Sequence, residues 1–579
     1  MIFMTVKDKK AVHISSKAPR LMLLMASFIS ATIIGVIVGF FTVYFVKLIM
    51  TAEGWRIEHR PDISHISFEL FFYQAGLLFL GMCILIGIRR VFRANRWHGP
   101  ADVIHAAHSD LSILSANTGI ATILSVFFSV AAGASVGIYG PLVHLGAFLS
   151  RAFNSIFRVN LLSQDMIIGC GVAAAISSGF NAPIAGMIFA HEVVLRHFSM
   201  RALAPIAIAS IASFSISSGL FEEVRWLRLD TDVPSVFSIS PGILVSGLFF
   251  GTVAVLITRL QIGLSLKAGK SGLADWQLGL IAVLICALIG LFVPEALGLG
   301  STVLLDMLNL EFGLTTLLVL LLSKIILTAA STCLGFSLGI FSPSLFIGAA
   351  AGGVIGNLLY LLDFPVSIPI LMVCGMAALS GAITGAPIAI MVIIIEMTMS
   401  YDLAVATMLA VGTCALITFS FGGNSLFDQQ LKMRNIDISK GRVGMLLSEG
   451  KIDDHATNNY MTLDIDISPE VAAKKLAFRG YSEGYCLTVA GSLIGKVKLQ
   501  DLVNSPEKNT LLKVVDKNPI SIALGSSIEN AREVASTFLG EAIPVINPDT
   551  NQLVGVVSEA DIFTAVLDIQ NSVTTLEKS

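Results

Sequence analysis

Two stretches of this chain, Leu111–Ser150 and Ile325–Leu362, run 40 and 38 residues without an Asp, Glu, Lys or Arg, and one pattern interrupts both near the middle. The copies are Gly137-Ile138-Tyr139-Gly140-Pro141 and Gly339-Ile340-Phe341-Ser342-Pro343, 202 residues apart, and each runs on to a Gly-Ala pair at 146–147 and 348–349. A helix needs about 20 apolar residues to cross a bilayer. Each stretch is therefore too long for one crossing and reads as two helices broken at the motif. Proline is favoured in the first turn of a helix, so a helix is expected to start at or just before Pro141 and Pro343. Irregular backbone at membrane depth persists only where protein or a wet cavity satisfies it.

Other uncharged runs are long enough to span: Leu21–Phe45, Leu70–Ile88, Met166–His191, Val233–Thr258, Trp276–Pro294 and Leu403–Phe427. Only 13% of the 579 residues are charged and 55% are hydrophobic, about half the charge a soluble protein carries. The chain reads as a polytopic membrane protein. The first run is too long for a cleaved signal peptide and follows a basic segment containing Lys7, Lys9, Lys10, Lys17 and Arg20. Arg89, Arg90, Arg93 and Arg96 follow the second run, and Arg196 and Arg201 mark a later turn. Positive charge at span ends favours the cytoplasm, so the first span runs outward, the second returns, and both termini are cytoplasmic. A prokaryotic inner membrane is the expected location. The net charge of −3 says little about a partner; no nucleic-acid partner is expected. The seven scattered cysteines have no zinc or disulfide spacing.

Composition changes near residue 435. The expected division is a cytoplasmic segment 1–20, a membrane domain 21–434 with repeats of about 21–230 and 231–434, and a cytoplasmic domain 435–579. The last part has its own repeat: 491–502 aligns with 551–562, each reading as a turn, a short strand and a helix opening at Asp501 or Asp561. Two stacked α/β units of about 60 residues follow from this. In the membrane domain Asn181-Ala182-Pro183 through Glu192 resembles Gly385-Ala386-Pro387 through Glu396, offset by 204. Two matches at nearly one offset argue for duplicated halves, and interrupted segments in corresponding positions point to a binding site at their interface. The fold class is thus all-α polytopic with inverted-repeat halves and broken helices, plus a cytoplasmic α/β domain.

A helix start leaves backbone N–H groups unpaired and carries partial positive charge, which makes it an anion site. Two facing starts would hold a small anion without Lys or Arg, and moderately, as conduction requires. A plainer reading makes the breaks kinks for close helix packing; the symmetric pair favours the ion site.

At these residues the chain resembles the CLC chloride channels and proton-coupled chloride transporters, over nearly its whole length. The motif Gly339-Ile340-Phe341-Ser342-Pro343 matches the family's G-x-F-x-P, and Phe180-Asn181-Ala182-Pro183, Gly385-Ala386-Pro387 and Glu396-Met397-Thr398 match other family segments. The tail is similar to a pair of cystathionine-β-synthase-type (CBS) domains. The resemblance implies a homodimer with one pore per subunit, chloride as the bound substrate, membrane lipid around it, no enzymatic activity and no required cofactor. It also implies anion contacts from the amides of Ile340 and Phe341, and from those around Gly137, Ile138 and Gly140. The departures bear on mechanism. The family's G-[KR]-E-G-P carries a gating, proton-carrying glutamate; Tyr139 stands there. A second glutamate typical of proton-coupled members aligns with Val193. The family's anion-contacting serine aligns with His98 beside Gly99, and its pore tyrosine with Phe427.

These substitutions lead to the expectation of a passive chloride channel in which Tyr139 replaces the glutamate gate, as a constriction or as a hydroxyl donor; it would otherwise be a space-filler mirroring Phe341. A phenol, with pKa near 10, is no proton shuttle at ordinary pH. His98 would donate to the anion and raise flux at low pH, or simply bond backbone at a helix start. His98, His105 and His108 fit no common zinc spacing. His191-Glu192 begins a metalloprotease-like H-E-x-x-H that fails at Leu195. Glu192 and Glu396, at matched helix ends, read as paired structural carboxylates. In the tail Ser558-Glu559-Ala560-Asp561 fits the [ST]-x-x-D ribose pattern for an adenine nucleotide, while Lys498 breaks it in the first repeat; a dimerisation module without ligand is the alternative. Two further readings stay open: a chloride/proton or other-anion transporter using an unusual coupling route, and a non-conducting nucleotide-sensing membrane protein.

Overall fold

The computed structural model describes residues 20–61, 67–109, 114–157, 162–220, 236–434, 436–437, 441–505 and 511–578. Lys7, Lys9, Lys10 and Lys17 of the basic segment, and the boundary near 230 between the halves, lie outside the described residues. The chain divides into two units after Gln429.

The first unit is helical. Its first half runs α1 (Arg20–Glu58), α2 (Phe68–Phe92), α3 (Pro100–His108), α4 (Ala116–Ala131), α5 (Tyr139–Phe157), α6 (Gln164–Phe180), α7 (Pro183–Phe189) and α8 (Met200–Leu220). The second half runs α9 (Val236–Lys270), α10 (Asp275–Phe292), α11 (Ser301–Leu308), α12 (Leu314–Cys333), α13 (Phe341–Leu361), α14 (Ile368–Thr384), α15 (Pro387–Thr398) and α16 (Tyr401–Ile417), followed by α17 (Leu426–Lys432). Among the described residues, eight helices are long and apolar enough to cross a membrane.

The halves repeat helix by helix because their breaking residues repeat. Gly133 and Gly335, again 202 apart, take φ of +93° and +134° just after α4 and α12 and turn the chain toward the motifs. After each motif a helix begins on the aromatic, at Tyr139 and at Phe341, two residues before the proline. Asn181 and Gly385 adopt left-handed conformations that end α6 and α14, and Pro183 and Pro387 open the next helices. α7 widens into a π-helical turn over Ala190–Leu195.

Glu192 and Glu396 cross-link the halves. Glu396 accepts the amides of Ile184 and Ala185 at 2.9 and 2.8 Å, and Glu192 accepts those of Ile388 and Ala389 at 3.0 and 2.7 Å. Each carboxylate caps the other half's helix start, where the N–H groups have no intrahelical partner. All seven cysteines are free.

The second unit holds two three-stranded sheets of one topology. β1 (Thr462–Leu463) pairs parallel with β2 (Glu483–Leu487), which pairs antiparallel with β3 (Leu493–Lys498). β4 (Ile522–Ala523), β5 (Ile543–Ile546) and β6 (Leu553–Val557) repeat this. Helices α18 (Gly441–Glu449), α19 (Pro469–Arg479), α20 (Leu499–Val503), α21 (Ile528–Ala535) and α22 (Glu559–Lys578) complete the unit. The helices expected to open at Asp501 and Asp561 start at Leu499 and Glu559, two residues earlier. The reason is the cap at the second: Asp561 accepts from the amide and hydroxyl of Ser558 at 3.0 and 2.7 Å, and Ser558 Oγ accepts the Asp561 amide at 3.2 Å. The acidic residue thus sits inside the first turn.

A buried ion pair within the first repeat reaches across to the second. Lys496 Nζ lies 2.6 Å from Glu483 Oε2, and both side chains are about 5% exposed. The ammonium also donates to the Ala542 carbonyl and faces the Phe538 ring, while Glu483 accepts the amides of Glu541 and Ala542. Desolvation pushes the Lys496 ammonium below the ordinary amine range, and Glu483 pulls it back up. Breaking such a pair by removing one partner costs about 3 kcal/mol or more. Lys496→Met in the full-length protein should therefore speed hydrogen exchange of β2 and β5 amides roughly 100-fold. Protection within tenfold of the parent would mean the pair does not hold the repeats together.

Candidate functional site

The two motifs meet backbone to backbone. The Gly137 amide donates to the Gly339 carbonyl at 2.8 Å, and the Ile138 amide donates to Ser342 Oγ at 3.3 Å. The approach needs glycine: a methyl group on Gly339 would lie 2.0 Å from the Gly137 oxygen. Neighbouring strands of chain thus bring together the starts of α5 and α13, two helices of 19 and 21 residues.

The amides at these starts divide into two sets. Those of Gly137 and Ile138, expected to contact the anion, are occupied in tying the motifs together, because the close approach of the glycines puts acceptors from the other half in front of them. Those of Tyr139, Gly140, Ile340 and Phe341 have no acceptor among the described residues. Two helix dipoles and these four N–H groups leave a positive end free to hold a small anion.

A cavity of about 80 Å³ lies against this junction, with room for a few waters or a small ion. Ile138, Tyr139, Phe341 and Ser342 line it, together with Phe180, Phe346, Met376 and the turn Leu299-Gly300-Ser301. Tyr139 is half-buried. Its ring stacks on Phe180 with centroids 3.7 Å apart at 12°, and meets Phe341 at 5.5 Å and 63°. Phe180 and Phe341 lie 5.4 Å apart. No carboxylate, histidine or cation is among the cavity's lining residues.

The other expected contacts sit elsewhere. His98 and Gly99 belong to the turn before α3, which packs on the first motif and just ahead of the second: Pro100 lies against Gly140, and Gly99 against Leu338. The His98 amide donates to Thr122 Oγ1 at 3.1 Å and the Gly99 amide to Asp102 Oδ2 at 2.9 Å, so the Gly99 donor serves as a helix cap. The His98 ring meets His144 edge-on at 5.5 Å. Phe427 is buried at the start of α17 and does not line the cavity. Val193 is 1% exposed and its carbonyl accepts from Arg196 Nε. In the second unit a cavity is lined by Ser482, Glu483, Lys498, Gln500, Gly540 and Glu541, among others, and neither Ser558 nor Asp561 lines it.

Phe180 and Lys324 carry no role in the sequence reading. Phe180 precedes the Asn-Ala-Pro break directly, and its aromatic character at that position was the available signal. Lys324 is the only cation in α12, at the edge of the second uncharged stretch.

The family profile described as "Voltage gated chloride channel" matches residues 80–418, more than half of the chain, and a CBS domain profile matches residues 512–568. A ClcB-like chloride channel protein of Ralstonia nicotianae is 30% identical over 373 residues, covering 63% of this chain and 85% of that protein. The "Voltage-gated ClC-type chloride channel ClcB" of Escherichia coli O81 is 28% identical over 384 residues, covering 65% and 87%. Among solved structures, a eukaryotic CLC transporter aligns with TM-score 0.63 at 18% identity over 93% of this chain and 98% of that one. A CLC-type fluoride/proton antiporter aligns with TM-score 0.59 at 22% identity, covering 70% and 98%. Duplicated halves, facing helix starts and these matches agree: the chain is a multi-pass integral membrane protein that belongs to the voltage-gated chloride channel family of chloride channels and transporters.

Proposed function

We propose that this protein conducts chloride passively, without obligatory proton exchange. The anion is held by the free amides of Tyr139, Gly140, Ile340 and Phe341 at the two facing helix starts. The observation that carries the reading is the cavity lining: Tyr139 occupies the junction, stacked on Phe180, and no lining residue bears a carboxylate. Proton coupling needs a group that binds and releases protons along the anion path. Tyr139 and Val193, where the resemblance puts glutamates, offer none near neutral pH. The ClcB relatives are named chloride channels, which supports the same side.

The protein assembles as a homodimer with one pathway in each subunit. Conduction needs no cofactor. An adenine nucleotide binds the second unit at Ser558 and Asp561, both inside the matched CBS segment, by displacing their mutual cap.

The competing reading, proton-coupled exchange, has its support in the antiporters that share the fold. Purified protein in chloride-loaded liposomes with an internal pH probe separates the two. A chloride gradient should collapse with no net proton movement beyond the leak of empty liposomes. Proton uptake against its gradient, in fixed ratio to chloride, would overturn the passive reading, and absence of flux would favour a non-conducting sensor.

A further inference from the structure

Behind the cavity lies a charge cluster that the reading above leaves unused. Lys324, in the middle of α12, is fully buried. Its Nζ donates to the carbonyls of Ala296, Gly298 and Leu299 at 3.0, 2.7 and 3.4 Å and faces the Phe346 ring at 4.6 Å. Three acceptors and a ring face call for three N–H donors, which an ammonium has and an amine lacks. Glu53 and Arg56, on α1, are each 4% exposed. Glu53 Oε1 accepts the Leu299 amide at 2.8 Å and lies 3.6 Å from Arg56 Nη2. These three groups sum to one excess positive charge, two cations less one carboxylate.

That excess is the informative quantity. Holding the turn 296–299 in place requires three donors to its carbonyls, which the ammonium supplies, and a second carboxylate in the cluster would leave those donors in place. Holding the turn does not require net charge. An uncompensated charge in a low-dielectric interior is costly, and a charge inside a membrane protein generally marks an ion path. The cluster touches the cavity through two of its walls. A methyl group on Gly300 would lie 3.4 Å from Lys324 Nζ, and Gly300 and Phe346 both line the cavity.

We infer that Lys324, with Glu53 and Arg56 setting the net charge at one, is a positioning residue that fixes anion occupancy of the cavity at the paired helix starts. It acts on a small monovalent anion through the field, with only the Gly300 backbone and the Phe346 ring between, and without direct contact. Its effect on binding is strong because little water screens it. The inference rests on the anion reading of the cavity but not on passive conduction.

Equilibrium binding of chloride to the purified protein, measured by calorimetry apart from any flux, tests it. Lys324→Met should weaken binding about tenfold, and Lys324→Arg should stay within threefold of the parent. Glu53→Gln keeps the acceptor for Leu299 and removes a negative charge, so it should tighten binding about threefold or more. The opposite signs are the decisive feature, since loss of a structural brace weakens binding in both variants. Weakening by Glu53→Gln, equal affinities throughout, or no saturable binding in the parent would overturn the proposal. Should Lys324→Met fail to fold, Glu53→Gln still decides. A protein that binds chloride with these shifts yet passes no current would overturn passive conduction and leave this inference standing.

Discussion

Gly339→Ala should reduce chloride flux at least tenfold and lower stability by about 3 kcal/mol, the upper end for forcing one extra carbon into a packed site. The cause is contact with backbone. The new methyl carbon would lie 2.0 Å from the Gly137 oxygen, and a carbonyl in a motif loop has no rotamer to change. The loops must separate, which breaks the 2.8 Å bond between Gly137 and Gly339 and turns the α5 and α13 starts apart. Gly339 does not have a positive φ, so alanine meets no backbone strain there and the variant reports space alone. Gly412 in α16 is the control, because a methyl group there meets nothing within 4 Å. Gly412→Ala should be neutral or slightly stabilising, since alanine suits a helix interior better than glycine. Flux per folded protein in liposomes and thermal unfolding in detergent check both. Equal behaviour of the two variants would mean the motifs are not in contact.

The parts of the fold that follow from covalent or local rules could be read in the sequence. Proline after glycine marked the helix starts to within two residues, and the common offset of the two motif pairs revealed the duplicated halves. The roles of Glu192 and Glu396 as structural carboxylates were also legible, because helix ends at matched positions invite reciprocal capping. The partition of the amides was not. Whether the N–H groups of Gly137 and Ile138 face an ion or the other half depends on how closely two segments 202 residues apart approach, and no local pattern encodes that distance. Gly99 is a different case: its amide goes to Asp102, three residues on, a short-range capping pattern that the sequence does carry. Lys324 is the clearest case of a role that no local pattern encodes. One lysine beside an apolar run reads as a span end, and only the packing of α1, α12 and the turn 296–299 brings it beside Glu53 and Arg56, behind the cavity.

Tyr139→Ala should raise chloride flux at least tenfold while lowering stability by roughly 2 kcal/mol, less than a fully buried aromatic would cost because the residue keeps some exposure. The ring has two contacts that fix it, the parallel stack on Phe180 and the edge contact with Phe341. Together these three aromatics line the cavity where the helix starts converge, so removing one ring widens it beside the helix starts at Tyr139 and Phe341. Its hydroxyl has no hydrogen-bond partner among the described residues, so Tyr139→Phe distinguishes the two roles a tyrosine could have here. If the ring obstructs, phenylalanine preserves the obstruction and flux stays within twofold of the parent. If the hydroxyl donates to the passing anion, phenylalanine leaves that anion one donor short and lowers both flux and the preference for chloride over larger anions. Neither variant should move protons, since neither introduces a group that titrates near neutral pH. Unchanged flux and selectivity in Tyr139→Ala would remove the gate from the mechanism. Control of conduction would then have to lie beyond the aromatic junction.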